Sequence, residues 1–287
     1  MRRSSVSAVL ILALAATAEA QEPRRRRLAC GTRPLSLEEK QRADETTRQQ
    51  VAQRGATSRA AGSVTIPVWV HVVKQGAGLS NGDVPSTMIS AQVAVLNDSF
   101  AGRTGGANTP FRFTLAGVTR RTDAALFNNC QDGAWRAALT AVRKGGAETL
   151  NIYTCNAASL FGWATFPSNY SRYPKSDGVY LHYGTLPGST WVPFNTGDTG
   201  VHEAGHWLGL YHTFEGGCSA RNDQVADTAA EKEAHFGCPL SLDSCPQRAG
   251  RDPITNFMAY TDDSCMYEFT PGQSSRMDVQ HGTYRTP

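Results

Sequence analysis

Apolar residues recur along this chain with two periods, and their alternation outlines a fold. Thr65-Ile66-Pro67-Val68-Trp69-Val70-His71-Val72-Val73 is rich in β-branched and aromatic residues and predicts a buried strand. Ile89, Val93, Leu96 and Phe100 then recur at helical spacing, so residues 86–100 predict an amphipathic helix. Residues 111–118 and 149–154 read as strands, 161–166 as a further one, 178–183 as strand-like and 134–144 as helix-like. Thr270-Pro271-Gly272-Gln273 carries a helix start, with a Thr cap, Pro in the first turn and Gln three residues on, and predicts a helix to about Gln280. Residues 35–54 favour a helix but are charged, with little apolar face. His71, inside an apolar strand, reads as a core histidine with satisfied hydrogen bonds. His235 and His281 carry no signal.

The N-terminus changes the picture. Residues 8–16, AVLILALAA, form a short apolar core behind Arg2 and Arg3 and ahead of Ala18-Glu19-Ala20. That pattern is a secretory signal with cleavage expected after Ala20. The run is far too short to span a bilayer, and no other segment approaches that length, so a secreted, extracellular protein with no membrane partner is expected. The 287 residues fit a signal peptide (1–20), a pro-segment (21–60) and one catalytic domain (61–287). A hydrophobic content of 40% supports a sizeable core, and a net charge of +3 makes no case for nucleic acid. Arg24 to Arg27, beside a secretion signal, read as a processing or solvated run. Secretion makes the seven cysteines candidates for disulfides. Six lie in the catalytic portion, where fifteen pairings are open, and Cys30 is the odd one. Asn97 and Asn169 open glycosylation sequons.

The chemistry is concentrated in residues 202–212, HEAGHWLGLYH, spaced H-E-x-x-H-x-x-G-x-x-H. His202 and His206 are four apart, so on a helix they share one face and can grip one metal ion. Glu203 stands beside the first of them, where a carboxylate can take a proton from metal-bound water. Gly209 tolerates positive φ, which lets the chain turn sharply and bring His212 round as a third ligand. Three neutral imidazoles suit zinc and leave a fourth position open for water. A bare HExxH arises by chance; Gly209 and His212 at the right spacings sharpen it. Downstream, Asn256-Phe257-Met258-Ala259-Tyr260 supplies a methionine, and the extended motif followed by a Met-containing turn is the metzincin signature. Met258 would form an apolar floor beneath the histidines.

From about residue 64 to the C-terminus the chain resembles the pappalysin family of metzincins, specifically the secreted single-domain type of fungi and bacteria. The resemblance rests on Gly178-Val179-Tyr180-Leu181-His182-Tyr183 followed by Gly184-Thr185-Leu186-Pro187-Gly188, on the histidine motif with Thr213-Phe214, on the cysteine-rich loop 218–245, and on the run from Asn256 to Gln273. It implies an α+β metzincin fold: a twisted, mixed five-stranded sheet with helices above the zinc cleft, and an irregular, disulfide-braced lower part. It implies a zinc endopeptidase acting on proteins or peptides, with residues 178–183 as an edge strand that pairs with substrate backbone. It suggests the disulfides Cys218–Cys245 and Cys238–Cys265, leaving Cys130–Cys155. Tyr260 matches the tyrosine that metzincins place near the metal to bond the oxyanion. Asp223, Val225, Asp227 and Thr228 lie in a segment resembling one that supplies calcium ligands in related enzymes.

Related zymogens are held latent by a cysteine on zinc, which makes Cys30 a candidate switch and the pro-segment the enzyme's own inhibitor. Its release needs a cut beyond Cys30, near Arg54 or Arg59. Asp262 and Asp263 are candidates to select basic side chains or to cap a turn. A binding protein on a dead protease scaffold would be expected to lose Glu203 or a ligand, and all four residues are present. HExxH chemistry also admits a non-peptide amide as substrate.

Overall fold

The computed structural model describes residues 29–54, 59–131, 138 and 141–286. In chain order these form β1 (Ala29–Cys30), α1 (Leu37–Arg54), β2 (Val64–Lys74), α2 (Ser86–Phe100), β3 (Phe111–Thr122) and a short α3 (Ala124–Asn128). There follow β4 (Leu150–Cys155), β5 (Leu160–Ala164), β6 (Val179–His182), α4 (Asp198–Trp207) and α5 (Pro271–Tyr284). The expected signal peptide, Arg24 to Arg27 and most of the helix-like stretch 134–144 lie outside the described residues.

The strands make one mixed sheet in the order β1-β5-β6-β4-β2-β3. Five of them are the expected sheet; the sixth, β1, is added by the N-terminal segment and runs parallel to β5. β5 is antiparallel to β6, and the pairs among β6, β4, β2 and β3 are parallel. The expectation that residues 178–183 form the edge strand is therefore corrected. β6 is enclosed between β4 and β5, so β5 borders the cleft and offers its far edge to β1. All four residues of β6 are buried, as suits a strand whose backbone and both faces are covered.

β2 shows why the sheet closes on one side. Ile66, Val68, Val70 and Val72 alternate onto one face and meet Ile89, Leu96 and Phe100 of α2 in the main core. Asn97, the first sequon residue, is used structurally, its side chain bridging Val93 O of α2 to the backbone of Phe113 in β3. The opposite face carries a ladder of stacked rings across four strands. Trp163, Tyr180, Tyr153 and His71 follow one another at centroid spacings of 4.7, 4.8 and 4.7 Å. His71 is the satisfied core histidine expected, bonded to Thr119 Oγ1 and Asn151 Oδ1 at 2.8 and 2.9 Å.

Below the sheet the chain is mostly irregular, and three disulfides join Cys130 to Cys155, Cys218 to Cys245 and Cys238 to Cys265. α5 begins with the expected capping box at Thr270 and Gln273, and runs one turn beyond Gln280. Its end is buried. The Arg285 guanidinium makes two bonds of 2.9 Å to Asp177, lies 3.6 Å over the Trp207 ring, and reaches Trp207 O from Nε at 2.8 Å. Trp207 Nε1 donates to the same Asp177 at 3.0 Å. The C-terminal residues, the loop before β6 and the last residue of α4 are thus tied at one carboxylate.

Both partners are almost solvent-free, Arg285 at 0% and Asp177 at 1% exposure. Removing Arg285 leaves Asp177 with one other cation, Arg143 at 3.4 Å. Arg285→Ala is expected to cost about 3–5 kcal/mol, read from urea unfolding with disulfides intact; a loss under about 1 kcal/mol would show that Arg143 suffices as a partner.

Candidate metal centre and cleft

The site is built on α4. Its face places His202 one turn below His206, and the helix stops at Leu208 as Gly209 takes φ of 102°. A side chain at that point would also collide with Gln280 of α5, at 2.6 Å. The turn is held from outside, since Arg276 Nε donates to Gly209 O at 2.9 Å. The chain then returns His212 to the first two histidines. Nε2 of His206 lies 3.1 Å from that of His202 and 3.0 Å from that of His212.

The far ring nitrogens say what these atoms are. His202 Nδ1 lies 2.7 Å from Phe257 O, and His206 Nδ1 lies 2.8 Å from Leu210 O. Carbonyls only accept, so each Nδ1 carries the proton and each neutral ring turns an Nε2 lone pair inward. Burial lowers the His202 pKa to about 4 and takes His206 and His212 well below the usual histidine range, helped by their mutual proximity. Lone pairs facing one another at about 3 Å repel unless a cation lies between them, and three neutral imidazoles are a donor set for a metal such as zinc. The residues present fit the ion expected from the motif.

A fourth donor comes from the N-terminal segment. Sγ of Cys30 and the three histidine nitrogens all lie within 4.8 Å of one another. β1 delivers it. Gly31 N bonds Gly162 O of β5 at 2.7 Å, and a Cβ on Gly31 would sit 2.3 Å from Leu160. Thr32 adds two further contacts. Its hydroxyl donates to Glu203 Oε2 at 2.8 Å and accepts from Ala164 N at 2.8 Å. Glu203 is fully buried beneath it, and burial raises its pKa to about 8. Burial and the neighbouring Glu203 carboxyl raise the Cys30 thiol. Tyr260 donates from its hydroxyl to Cys30 O at 3.3 Å. Cys30, Glu203 and Tyr260 therefore meet in one place with the histidines.

Met258 is solvent-free beneath α4, its amide fixed by Asn256 Oδ1 at 2.9 Å. A pocket continues from the histidines between Phe161, Phe194, Phe236 and Met266, with Asp263 in its wall. One Asp263 oxygen accepts from Thr196 N and Oγ1 at 2.8 and 2.9 Å, while its other oxygen is buried and unpartnered. His182 is no part of the cleft. It is buried, stacked 3.5 Å from the Trp191 ring centroid, and bonded to Asn156 and Gly184 N.

In the loop after His212, Asp223 is buried and pushed up to about 8 by that burial, with the Thr228 hydroxyl beside it. Asp227, by contrast, bonds Thr270 Oγ1 and Gly272 N at the start of α5. Sequence reasoning passed over Thr32, Asp177 and Arg285. A Thr one residue past Cys30-Gly31 was a faint signal; the other two had none, being partners from distant segments.

This fold and cleft are those of a metzincin metalloprotease, and comparison with known proteins agrees. Residues 142–280 match the family model Peptidase_M43, described as Pregnancy-associated plasma protein-A. An extracellular metalloprotease of Verticillium alfalfae is 39% identical over 269 residues, covering 91% of each chain. One from Neurospora crassa is 39% identical, covering 89% of this chain and 88% of its own. Mature mirolysin of Tannerella forsythia, in complex with a cleaved peptide, matches with TM-score 0.67 and 28% identity, over 79% of this chain and 100% of its own. A promirolysin mutant matches with TM-score 0.70 and 29% identity, over 90% of this chain and 94% of its own. The chain belongs to the pappalysin-like Peptidase_M43 family of extracellular metalloproteases.

The packing of α4 on the Met-turn is tight enough to test. A Cβ at Gly205 would lie 2.5 Å from Met258 Sδ. Gly205→Ala is expected to cost about 1–3 kcal/mol and to loosen metal retention against a chelator; unchanged melting and retention would show that the floor yields freely.

Proposed function

We propose that the chain is a secreted zinc endopeptidase made as a latent precursor, with residues 1–20 as signal peptide, 21–60 as pro-segment and 61–287 as the catalytic domain. The observation that carries this reading is the convergence of three histidine ring nitrogens beside a buried glutamate, with Cys30 among them. His202, His206 and His212 would hold the ion. A bound zinc ion would polarise the scissile carbonyl and lower the pKa of water to roughly 7. Glu203 takes the proton of the attacking water and passes it to the leaving amine. Tyr260 donates a hydrogen bond to the carbonyl oxygen as it gains charge; in the latent form its hydroxyl already serves a peptide carbonyl, that of Cys30. Extended substrate adds to the free edge of β5 once β1 is gone.

Latency follows from the same contacts. Cys30 takes the remaining donor position, Thr32 holds the general base, and β1 covers the strand edge that substrate needs. The better match of promirolysin, in coverage, than of mature mirolysin supports a pro-segment here. Arg59 is tied to Asp278 through its backbone N–H at 2.9 Å and its guanidinium, which favours a releasing cut near Arg54 over one at Arg59 and would leave the last few residues of the pro-segment on the catalytic domain. No helix of the described residues is long and apolar enough to cross a membrane. Calcium held by Asp223, Val225, Asp227 and Thr228 belongs to the same proposal, since a cation would offset the cost of ionising a buried Asp223. Asp263, with a spare oxygen in the pocket wall, supports acceptance of a basic side chain beside the cut.

An unbiased peptide library, digested by the processed protein, is expected to show cleavage enriched for Lys or Arg beside the cut. Zinc chelation should abolish it, and Glu203→Ala should lower it by about 10²–10⁴-fold. Persistent hydrolysis in either control would sink the zinc mechanism, no enrichment would remove the role of Asp263, and no cleavage at all would favour a non-catalytic or non-peptide activity. Calcium chelation with zinc retained should lower the melting temperature; an unchanged melt would dismiss the calcium site. For latency, Cys30→Ala precursor should hydrolyse peptide before any processing, whereas a variant as silent as the parent would refute the switch.

A further inference from the structure

A second cluster of metal-ligating side chains lies in the disulfide-braced loop, apart from the catalytic histidines. Glu231, His235 and Asp252 each turn one ligand atom toward the others, and these atoms lie within 4.8 Å of one another. Glu231 is 0% and Asp252 5% exposed, so neither carboxylate reaches water to any useful degree. Each has one oxygen already engaged. Glu231 Oε2 accepts from Thr213 Oγ1 at 2.5 Å, and Asp252 Oδ1 accepts from Ser244 N and Oγ at 2.9 and 3.0 Å. The remaining oxygens, Glu231 Oε1 and Asp252 Oδ2, are buried without a hydrogen-bond partner, and so is His235 Nε2. His235 Nε2 does approach Asp252 Oδ2, to 3.2 Å, but not in hydrogen-bond geometry.

Three orphaned donors to a cation, in one solvent-free spot, are costly as they stand. A buried carboxylate without a partner loses its hydration with no return, and two of them side by side also repel. Among the described residues, the ion pair that reaches them comes from His235 alone. Burial and the nearby Asp252 push Glu231 up to about 7, in keeping with an unrelieved pair.

We infer that Glu231, His235 and Asp252 form a second, structural site for a divalent transition-metal ion of the zinc type. Imidazole nitrogen with two carboxylate oxygens suits such an ion, whereas calcium prefers oxygen throughout. The two cysteines in this loop, Cys238 and Cys245, are engaged in disulfides and take no part. The ion would close the loop between residues 231 and 252 on itself. Through the Thr213–Glu231 bond it would also brace the residue next to His212, the third catalytic ligand.

The test uses full-length secreted protein, stripped with chelator, saturated with zinc chloride and desalted. Wild type is expected to retain two zinc equivalents per chain and His235→Leu one. In a His202→Ala/His206→Ala background, added zinc should still raise the melting temperature, and adding His235→Leu should abolish that rise. These variants leave Glu231 and Asp252 in place, so a failure to fold through loss of a buried carboxylate is avoided. Wild type saturating at one equivalent, or His235→Leu keeping two, would overturn the site. So would a zinc-dependent rise that survives His235→Leu in the double-variant background. One equivalent with no such rise would mean that Glu231 and Asp252 share a proton instead.

Discussion

The positive φ at Gly209 is the constraint on which the rest of the site depends. A helix can bring His202 and His206 together by itself, but it carries the next residues away along its axis. Only an abrupt reversal returns His212 to the same point, and the backbone there has no room for a side chain against Gln280. The reversal is then locked by groups from elsewhere. Arg276 of α5 holds the carbonyl of Gly209, and Leu210 O receives the proton of His206. The same few residues therefore end a helix, orient a ligand and anchor the C-terminal helix.

Around that turn, the cleft is assembled from segments far apart in the chain, and polar bonds rather than packing alone set its geometry. Phe257 O orients His202, Asn256 fixes Met258 N, and Asp177 gathers Trp207 and Arg285 behind α4. Such bonds are strong here because the groups are buried, and the same burial keeps the imidazoles neutral and Glu203 hard to ionise. These bonds preorganise the side chains of the site.

The N-terminal segment exploits that preorganisation from three directions. β1 completes the sheet, Cys30 joins the donor set and Thr32 bonds the glutamate. α1, nearly devoid of an apolar face, is held on the body by polar contacts such as Asp44 with Arg276, at 2.8 Å, and Lys40 with Glu215. Leu35 also packs with Phe166 and Tyr211, so a small apolar cluster joins the ion pairs and one short strand in holding this segment.

What the sequence by itself determined is local and periodic. The helix at residues 86–100, the buried strand through Val68 and Val72, the capping box at Thr270 and the ligand spacing from His202 to His212 are all written within a few residues. Those features follow from backbone geometry that repeats every two or every 3.6 residues. The cysteine pairing and the sheet were legible through family resemblance rather than through spacing. Tertiary structure alone decided which strand lies next to the N-terminal segment, because β5 and β6 are both short apolar runs and only their order in the sheet puts β6 inside and β5 beside β1. It alone decided that Thr32 meets Glu203, that Arg285 closes on Asp177, and that His235 joins Glu231 and Asp252. Each of these is a polar encounter between distant segments. The physical reason they escape the sequence is that a polar side chain carries no periodic mark of its partner, and its burial is known only after the chain has closed around it.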